Sequence, residues 1–447
     1  MKVCRFEKMK DGDEIVKIIN CILNERPYVV VLPALGTIQE QLKKISFNYF
    51  RYGDDTWHTV IGELTDYCGT LADRLIKNPL WNRETKALVR KSTNRIQEWT
   101  QEKADLLIDK RIKAEGYRLS CNLLIYCLRE QGFNAQLLDT GEFMQTDAER
   151  KVDIPAAREY VKQYKSENRA ADLFVAPLAL CKNAYDETDF MNEKRNDYYA
   201  AVLATAFNAD EMILWKEINN LYTNRNDARE AHSLTYDETE SLVNSGMDLL
   251  HSDCITLAAG SELSLRIMDA HNRDTERLYI SSKDTQNGIK AILNRDAVSL
   301  VRFNPLDTLP GYMLLSKLWE TVGRHKIQVI SMASSNTSVS MLLSADRNAL
   351  CNLRRELSGY VRISVNENLS AIHVIGSLHN ERSTTKCDLM QTIKTIPVSL
   401  ISYGSNDRCF TLAIRSTDKN RLISLLSKRY FENKSLPEIL QTVMISG

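Results

Sequence analysis

The chain has 447 residues, with 58 Lys plus Arg against 58 Asp plus Glu, so its formal net charge is zero. A protein that tracks a nucleic-acid backbone normally carries a basic excess, so the balance excludes that class while leaving room for a small basic patch. The length predicts two or three domains, with a core large enough to need neither disulfides nor metals.

Glycine is scarce: 17 in 447 residues, roughly half the usual ~7%. The deficit bears on function, because phosphate-binding loops depend on glycine. The opening segment, MKVCRFEKMKDGDEIV, alternates charged and apolar residues and lacks the apolar centre of a signal peptide. No apolar run approaches a membrane span, so a cytoplasmic chain with no membrane partner is expected. The ten cysteines, from Cys4 to Cys409, form no CxxC pair, which predicts reduced thiols. The seven histidines show no HExxH-type spacing, so no metal site is expected.

Lys2–Phe6 is a strand candidate. Asp13–Leu23 is an amphipathic helix with Ile15, Ile18, Ile19 and Ile22 on one face. Tyr28–Leu32 is an apolar run typical of a buried parallel strand. Residues 37–113 are charge-rich and helical. A helix over Arg118–Gln131 follows, then strands at Ala135–Asp139 and Leu173–Ala176, a helix over Asp197–Asn208 and a strand at Glu211–Trp215. This alternation implies an α/β domain with a mostly parallel sheet over residues 1–285.

The polar stretch 271–292 contains a plausible boundary. Beyond it, over 297–447, elements become short and regular. Strands are predicted at Val298–Phe303, Ile327–Ala333, Ser338–Leu343, Val361–Val365, Ser370–Ile375, Val398–Tyr403 and Cys409–Ile414. Helices are predicted at Gly311–Val322, Arg347–Leu357, near Lys386–Ile393 and at Asp418–Arg429. The pattern is a twofold βαββαβ repeat. On pattern alone, ligand sensing and dimerisation are equally good readings of it.

Few motifs carry chemistry. Neither GxGxxG nor GxxxxGK[ST] is present. Glu7, Lys8 and Met9 follow the first strand, and Glu7 would repel a phosphate. Leu35-Gly36-Thr37 is a better tight turn. Asp197 opens a helix, where the dipole favours a carboxylate. Trp215 and Tyr222 flank the polar turn from Lys216 to Asn220; they could sandwich a ring system or serve as core. His251, after Leu249-Leu250, reads as a structural histidine.

The segments MKVCRF, EGYRLSCNLLIYCLREQGFNAQLLD and NDYYAAVLATAFNADEMILWKEINNLYT together resemble aspartokinases. The repeat, most visibly RHKIQVISMASSNTSVSMLL and VSLISYGSNDRCFTLAI, resembles that family's paired ACT domains. The resemblance covers nearly the whole chain. It implies an amino-acid-kinase (carbamate-kinase-like) fold followed by two ferredoxin-like ACT modules. It also implies transfer of the ATP γ-phosphoryl group to the side-chain carboxylate of L-aspartate with Mg²⁺, in lysine, threonine and methionine biosynthesis. Dimers and amino-acid effectors are implied as well.

Motif by motif, the family's functional positions depart from its pattern. Its Lys-Phe-Gly-Gly opening is Arg5-Phe6-Glu7-Lys8, where Arg5 is a possible substitute for the lysine. Its second loop reads Pro33-Ala34 and Gln39, and its Gly-Glu before the Leu-x-Ser helix reads Gly116-Tyr117. Its Gly-Arg-Gly-Gly-Ser-Asp is Asn192-Glu193-Lys194-Arg195-Asn196-Asp197, which reverses a charge at Glu193 and retains only Asp197. The nucleotide segment survives in part as Trp215, Lys216, Glu217 and Tyr222, and the later phosphate-facing lysine is Asp248. For the effector, Gly311-Tyr312-Met313 and Ser334-Ser335-Asn336 could supply the family's helix-start and strand segments, while the acids of its lysine-responsive members are Ile330 and Asn336 here.

The chain therefore reads as an aspartokinase homologue with impaired catalysis and a regulatory or amino-acid-sensing role. In that case it needs no cofactor, and it forms a homodimer through its ACT domains or a hetero-oligomer with an active aspartokinase. The alternative is an active aspartate kinase using ATP and Mg²⁺, with Lys8, Lys194, Arg195 and Lys216 supplying the missing positive charge.

Overall fold

The structure, a computed structural model, describes residues 1–52, 56–103, 105–217, 221–222, 233–247, 249–270, 276–283, 288–306, 311–335, 337–377, 385–403 and 408–432. The chain forms two compact units: 1–217 with 251–279, and 218–250 with 280–447. Residues 218–250 group with the later residues.

The first unit opens with strand β1 (Lys2–Phe6), helix α1 (Gly12–Glu25) and β2 (Val29–Leu32). Asp11 caps α1 by accepting from the N–H groups of Asp13 and Glu14, and Ile15, Ile18 and Ile22 turn inward. A helical block follows: α2 (Gly36–Tyr52), α3 (Thr56–Leu75), α4 (Pro79–Thr100) and α5 (Leu106–Glu130). Asn78 caps α4, with Pro79 in its first turn, and Asp105 caps α5. Then come β3 (Ala135–Leu137), α6 (Ile154–Glu167), β4 (Leu173–Pro177), the hairpin β5 (Leu180–Lys182) and β6 (Thr188–Phe190), α7 (Asn196–Ala206) and β7 (Glu211–Lys216).

In the second unit the chain then forms β8 (Leu221–Tyr222), β9 (Ser233–Thr235) and α8 (Tyr236–Asn244). It returns to the first unit as α9 (Ser252–Gly260), β10 (Ser264–Asp269) and β11 (Glu276–Ser281).

The strands of the first unit lie in the order β3-β4-β2-β1-β7-β10-β11, and the pairs from β3 to β10 are parallel. A parallel sheet covered on both faces needs apolar runs rather than alternation, and β2 and β4 are buried throughout. The N-terminal strand ends are tied by ion pairs: Lys2–Glu25 at 2.9 Å, Arg266–Glu25 at 2.5 Å and Arg266–Glu211 at 3.2 Å. The opposite, C-terminal ends of β1 and β7 carry the retained family positions.

The second unit continues with β12 (Gly288–Pro305), α10 (Gly311–Arg324), β13 (Gln328–Ser334), β14 (Val339–Ser344), α11 (Arg347–Leu357), β15 (Val361–Ser377), α12 (Thr385–Ile393), β16 (Val398–Ser402), β17 (Cys409–Arg415) and α13 (Lys419–Ser427). Its antiparallel sheet runs β13-β14-β12-β15-β17-β16. The strands expected at Val361–Val365 and Ser370–Ile375 are one strand, β15. Likewise β12 begins at Gly288, inside the polar stretch read as a boundary. Both extend because they pair along their whole length, with register shifts around Val298 that change which face each half presents.

One core holds Val301, Phe303, Leu318, Met341, Leu353 and Leu357; the other holds Ile292, Ile372, Val374, Phe410, Leu412 and Leu422. The first βαββαβ module is therefore nested inside the second, which takes residues 288–295 from before it. Polar residues mark the crossover: Asp296 accepts from Ser370 and Lys419, both at 2.7 Å. Among the described residues no helix is long and apolar enough to cross a membrane.

His373 lies fully buried on β15, with Nδ1 2.9 Å from Thr411 Oγ1. Burial first, then the Arg295 charge, lowers its pKa from 6.5 to about 4. The folded state thus disfavours the imidazolium, so the stability is complete above pH 6.5 and falls as the pH drops toward 4. Unfolding of the second unit followed in denaturant should lose about 3 kcal/mol across that window. His373→Gln should remove this part of the pH slope while leaving the carboxylate part at lower pH.

Candidate functional site

At the C-terminal ends of β1 and β7 the structure brings three predicted residues together. Asp197, in the first turn of α7, lies between Arg5 of β1 and Lys216 of β7: Arg5 Nη1 is 2.5 Å from Oδ1, and Lys216 Nζ is 3.2 Å from Oδ2. The three residues are only 3%, 4% and 8% exposed for Arg5, Asp197 and Lys216. Charges taken out of water need partners at this range. Cys254 of α9 lies in the same field. Its thiol is pushed well up, first by burial and then by the Asp197 charge.

The loops around this triad close on themselves. Glu217 N–H donates to Glu7 Oε2 at 3.1 Å, and Lys8 Nζ lies 3.4 Å from Glu217 Oε2. Gly36 N–H donates to the Met9 carbonyl at 2.8 Å. A Cβ at Gly36 would stand 2.9 Å from the Lys10 carbonyl oxygen, so the two loops touch through backbone. Trp215 is buried and stacks on Phe6, with centroids 4.6 Å apart and planes 7° from parallel. Beside them is a cavity of about 60 Å³, lined by Phe6, Glu7, Lys8, Trp215 and Glu217 among others. Small-molecule sites typically offer ~300–1,000 Å³.

Arg195 is also engaged internally. It donates to the carbonyls of Glu149 and Arg150 at 3.0 and 2.9 Å and pairs with Asp253. Lys194 and Glu193 are exposed. His251 is structural: it is the N-cap of α9, its Nδ1 accepting from Asp253 N–H at 3.2 Å.

Tyr117 receives a hydrogen bond from Gln39 Nε2 at 3.3 Å and packs on Phe190, with centroids 5.3 Å apart. Burial, then the Glu193 carboxylate, pushes its phenol up, against the Gln39 bond. Ser120 serves the scaffold, donating to the Gly116 carbonyl at 2.8 Å and accepting from Leu35 N–H at 2.9 Å.

The remaining predicted residues do not join this cluster. The Tyr222 backbone pairs with Ile292 of β12 in the second unit; Asp248 and Asn336 lie outside the described residues. Gly311, Tyr312 and Met313 open α10, where Tyr312 and Met313 are exposed. Ser334 ends β13, and Ser335 Oγ accepts from Thr337 and Ser338 N–H in the turn beyond. Among the described residues no group of three or more His, Cys, Asp or Glu is placed to hold a metal ion. Sequence reasoning missed Asp253 and the Glu7–Glu217 contact. The signal available for the triad was a lysine ending the apolar strand EMILWK.

Replacing Asp197 with Asn leaves Arg5 and Lys216 buried without their counter-charge. It should cost about 3–5 kcal/mol of unfolding free energy, read from denaturant midpoints. Adding Lys216→Met to Asp197→Asn should recover part of that loss, because one orphaned charge is then gone.

Comparison with known proteins extends these observations. A family model for the amino acid kinase family matches residues 9–269. The lysine-sensitive aspartokinase 3 of Escherichia coli is 21% identical over 335 residues, covering 71% of this chain and 74% of the relative. The chloroplastic aspartokinase 2 of Arabidopsis thaliana is 22% identical over 95% of this chain and 82% of its own length. Among solved structures, E. coli aspartokinase III in complex with lysine and aspartate superposes with a TM-score of 0.75 at 19% identity, over 96% of this chain and 99% of the other. The aspartate kinase of Clostridium acetobutylicum superposes with a TM-score of 0.78 at 13% identity, over 97% and 100%. The family match spans more than half of the residues, so the chain belongs to the amino acid kinase family, and the proteins it resembles in sequence and fold are aspartokinases.

Proposed function

We infer that this chain is a catalytically impaired aspartokinase homologue with a regulatory or amino-acid-sensing role. One observation carries the reading. Phosphoryl transfer rests on positioning and on cations that neutralise the transferring group. Here Arg5 and Lys216 are held by Asp197, Arg195 by Asp253, and Lys8 by Glu217.

Among the described residues, which leave out 218–220, 223–232 and 248, the groups present do not fit a magnesium nucleotide. The Glu217 N–H is taken by the Glu7 carboxylate, where a phosphate needs free donors. The cavity beside it, about 60 Å³, is well below the ~300–1,000 Å³ of small-molecule sites. The compensation that would rescue an active aspartate kinase is thereby weakened, and no catalytic step is assigned. The effector modules remain built, with Tyr312, Met313, Ser334 and Ser335 exposed on their surface. They suit association with a second copy or with an active aspartokinase, under an amino-acid effector.

Purified protein given ATP, Mg²⁺ and aspartate should release no ADP above background, and millimolar Mg-ATP should leave its melting temperature unchanged. A ligand at 100 times its Kd would add about 2.7 kcal/mol, a shift that a melting scan resolves. Turnover that Asp197→Asn abolishes without unfolding the chain would establish the active-kinase reading instead.

A further inference from the structure

The turn between α3 and α4 carries a pocket of about 690 Å³ with a basic wall. Lys77, Arg83, Lys86 and Arg90 line it, with Asp73 as the single acid. That acid is already taken. Its two oxygens hold Lys86 at 2.6 and 2.8 Å, and Oδ1 also accepts from Asn82 at 3.0 Å. Lys77 Nζ donates to the Asp73 carbonyl at 3.1 Å. Arg83 and Arg90 are exposed and make no ion pair among the described residues.

This local excess stands in a chain whose charges otherwise balance. Arg83, Lys86 and Arg90 are spaced i, i+3 and i+7, so they run along one side of α4 over two turns, about 10 Å. Like charges at such spacing weaken a helix by repulsion. Leu80, 56% exposed, and Ala87, also exposed, lie on the same side. The opposite side of α4 buries Thr85, Val89 and Ile96, so the packing of the helix does not need the basic row.

We propose that this row docks an acidic segment of a partner protein: an amphipathic helix with carboxylates at the same spacing and an apolar side chain against Leu80. Charge complementarity calls for an anion. The arginine fork takes a carboxylate through two parallel bonds, and arginine is enriched among the side chains that dominate interfaces. The apolar part of the seat, Leu80 with Pro79 and the Ala87 notch, is buried by a protein side chain and left bare by a nucleic-acid backbone. The zero net charge also lacks the basic excess of a backbone tracker. The seat lies in the first unit, so it does not depend on association through the effector modules.

The probe is a fluorescent synthetic helix with glutamates at i, i+3 and i+7 and a leucine beside them, titrated with the full chain. Anisotropy should show saturable binding at low salt that weakens as salt screens it. Arg83→Glu with Arg90→Glu should raise the dissociation constant about tenfold or more, with an unchanged circular dichroism spectrum. Leu80→Asp should weaken binding as well. A probe with lysines in place of the glutamates should bind the double variant and not the original chain.

A probe with the same glutamates placed consecutively should bind more weakly, because they cannot all reach the row; equal binding overturns the helical register. No binding of the acidic helix, or binding indifferent to Arg83→Glu with Arg90→Glu, overturns the seat itself. Single-stranded DNA or tripolyphosphate that occupies Arg83 and Arg90 more tightly than the acidic helix overturns the protein partner as occupant. These residues are separate from Arg5, Asp197 and Lys216, so the turnover assay decides catalysis independently.

Discussion

The ends of three elements in the first unit are fixed by one buried carboxylate. Asp197 holds Arg5 on one oxygen and Lys216 on the other, which ties β1, α7 and β7 together. Breaking a buried ion pair costs about 3–5 kcal/mol, because the partner left behind has no water to replace it. Arg5 and Lys216 thus act as internal struts that brace β1 and β7 against α7.

The second unit is organised by the same rule. Lys290 of β12 meets Glu238 of α8 at 2.9 Å, with both side chains only 1% exposed. Glu238 also accepts from Thr235 N–H at 2.8 Å, and its own N–H donates to Thr235 Oγ1 at 3.2 Å, closing a capping box. Arg408 adds a bond to Thr235 Oγ1 and an ion pair to Asp237, both at 2.9 Å. A helix of nine residues is marginal alone, so α8 owes its place to these partners. They also explain why 218–250 groups with residues 280–447 although the strands before and after it belong to the first unit.

Local patterns were legible from the residues, and pairings were not. Buried parallel strands show as apolar runs, and α1 and α11 show as amphipathic stripes, because those signals sit within a few residues. The fusion of two predicted strands into β15 depends on what lies alongside in β12, roughly 70 positions earlier in the chain. The partner of a charge is equally non-local: Arg5 and Asp197 meet across nearly the whole first unit. Arg195 and Lys216 could be noticed as cations beside phosphate-loop positions, but their counter-ions appear only once α7, α9 and β7 stand side by side.

The glycine deficit takes on a mechanical meaning from the same contacts. A glycine loop binds phosphate because its backbone N–H groups point outward and no side chain competes for them. Adding side chains supplies competitors. Glu7 takes the Glu217 N–H, Lys8 takes the Glu217 carboxylate, and the Met9 carbonyl takes the Gly36 N–H. Each contact is modest and partly exposed, so none alone would bar a ligand. Together they tie the loops after β1, β2 and β7 to one another. Restoring a single glycine would therefore free one donor while the buried triad beneath still held its cations.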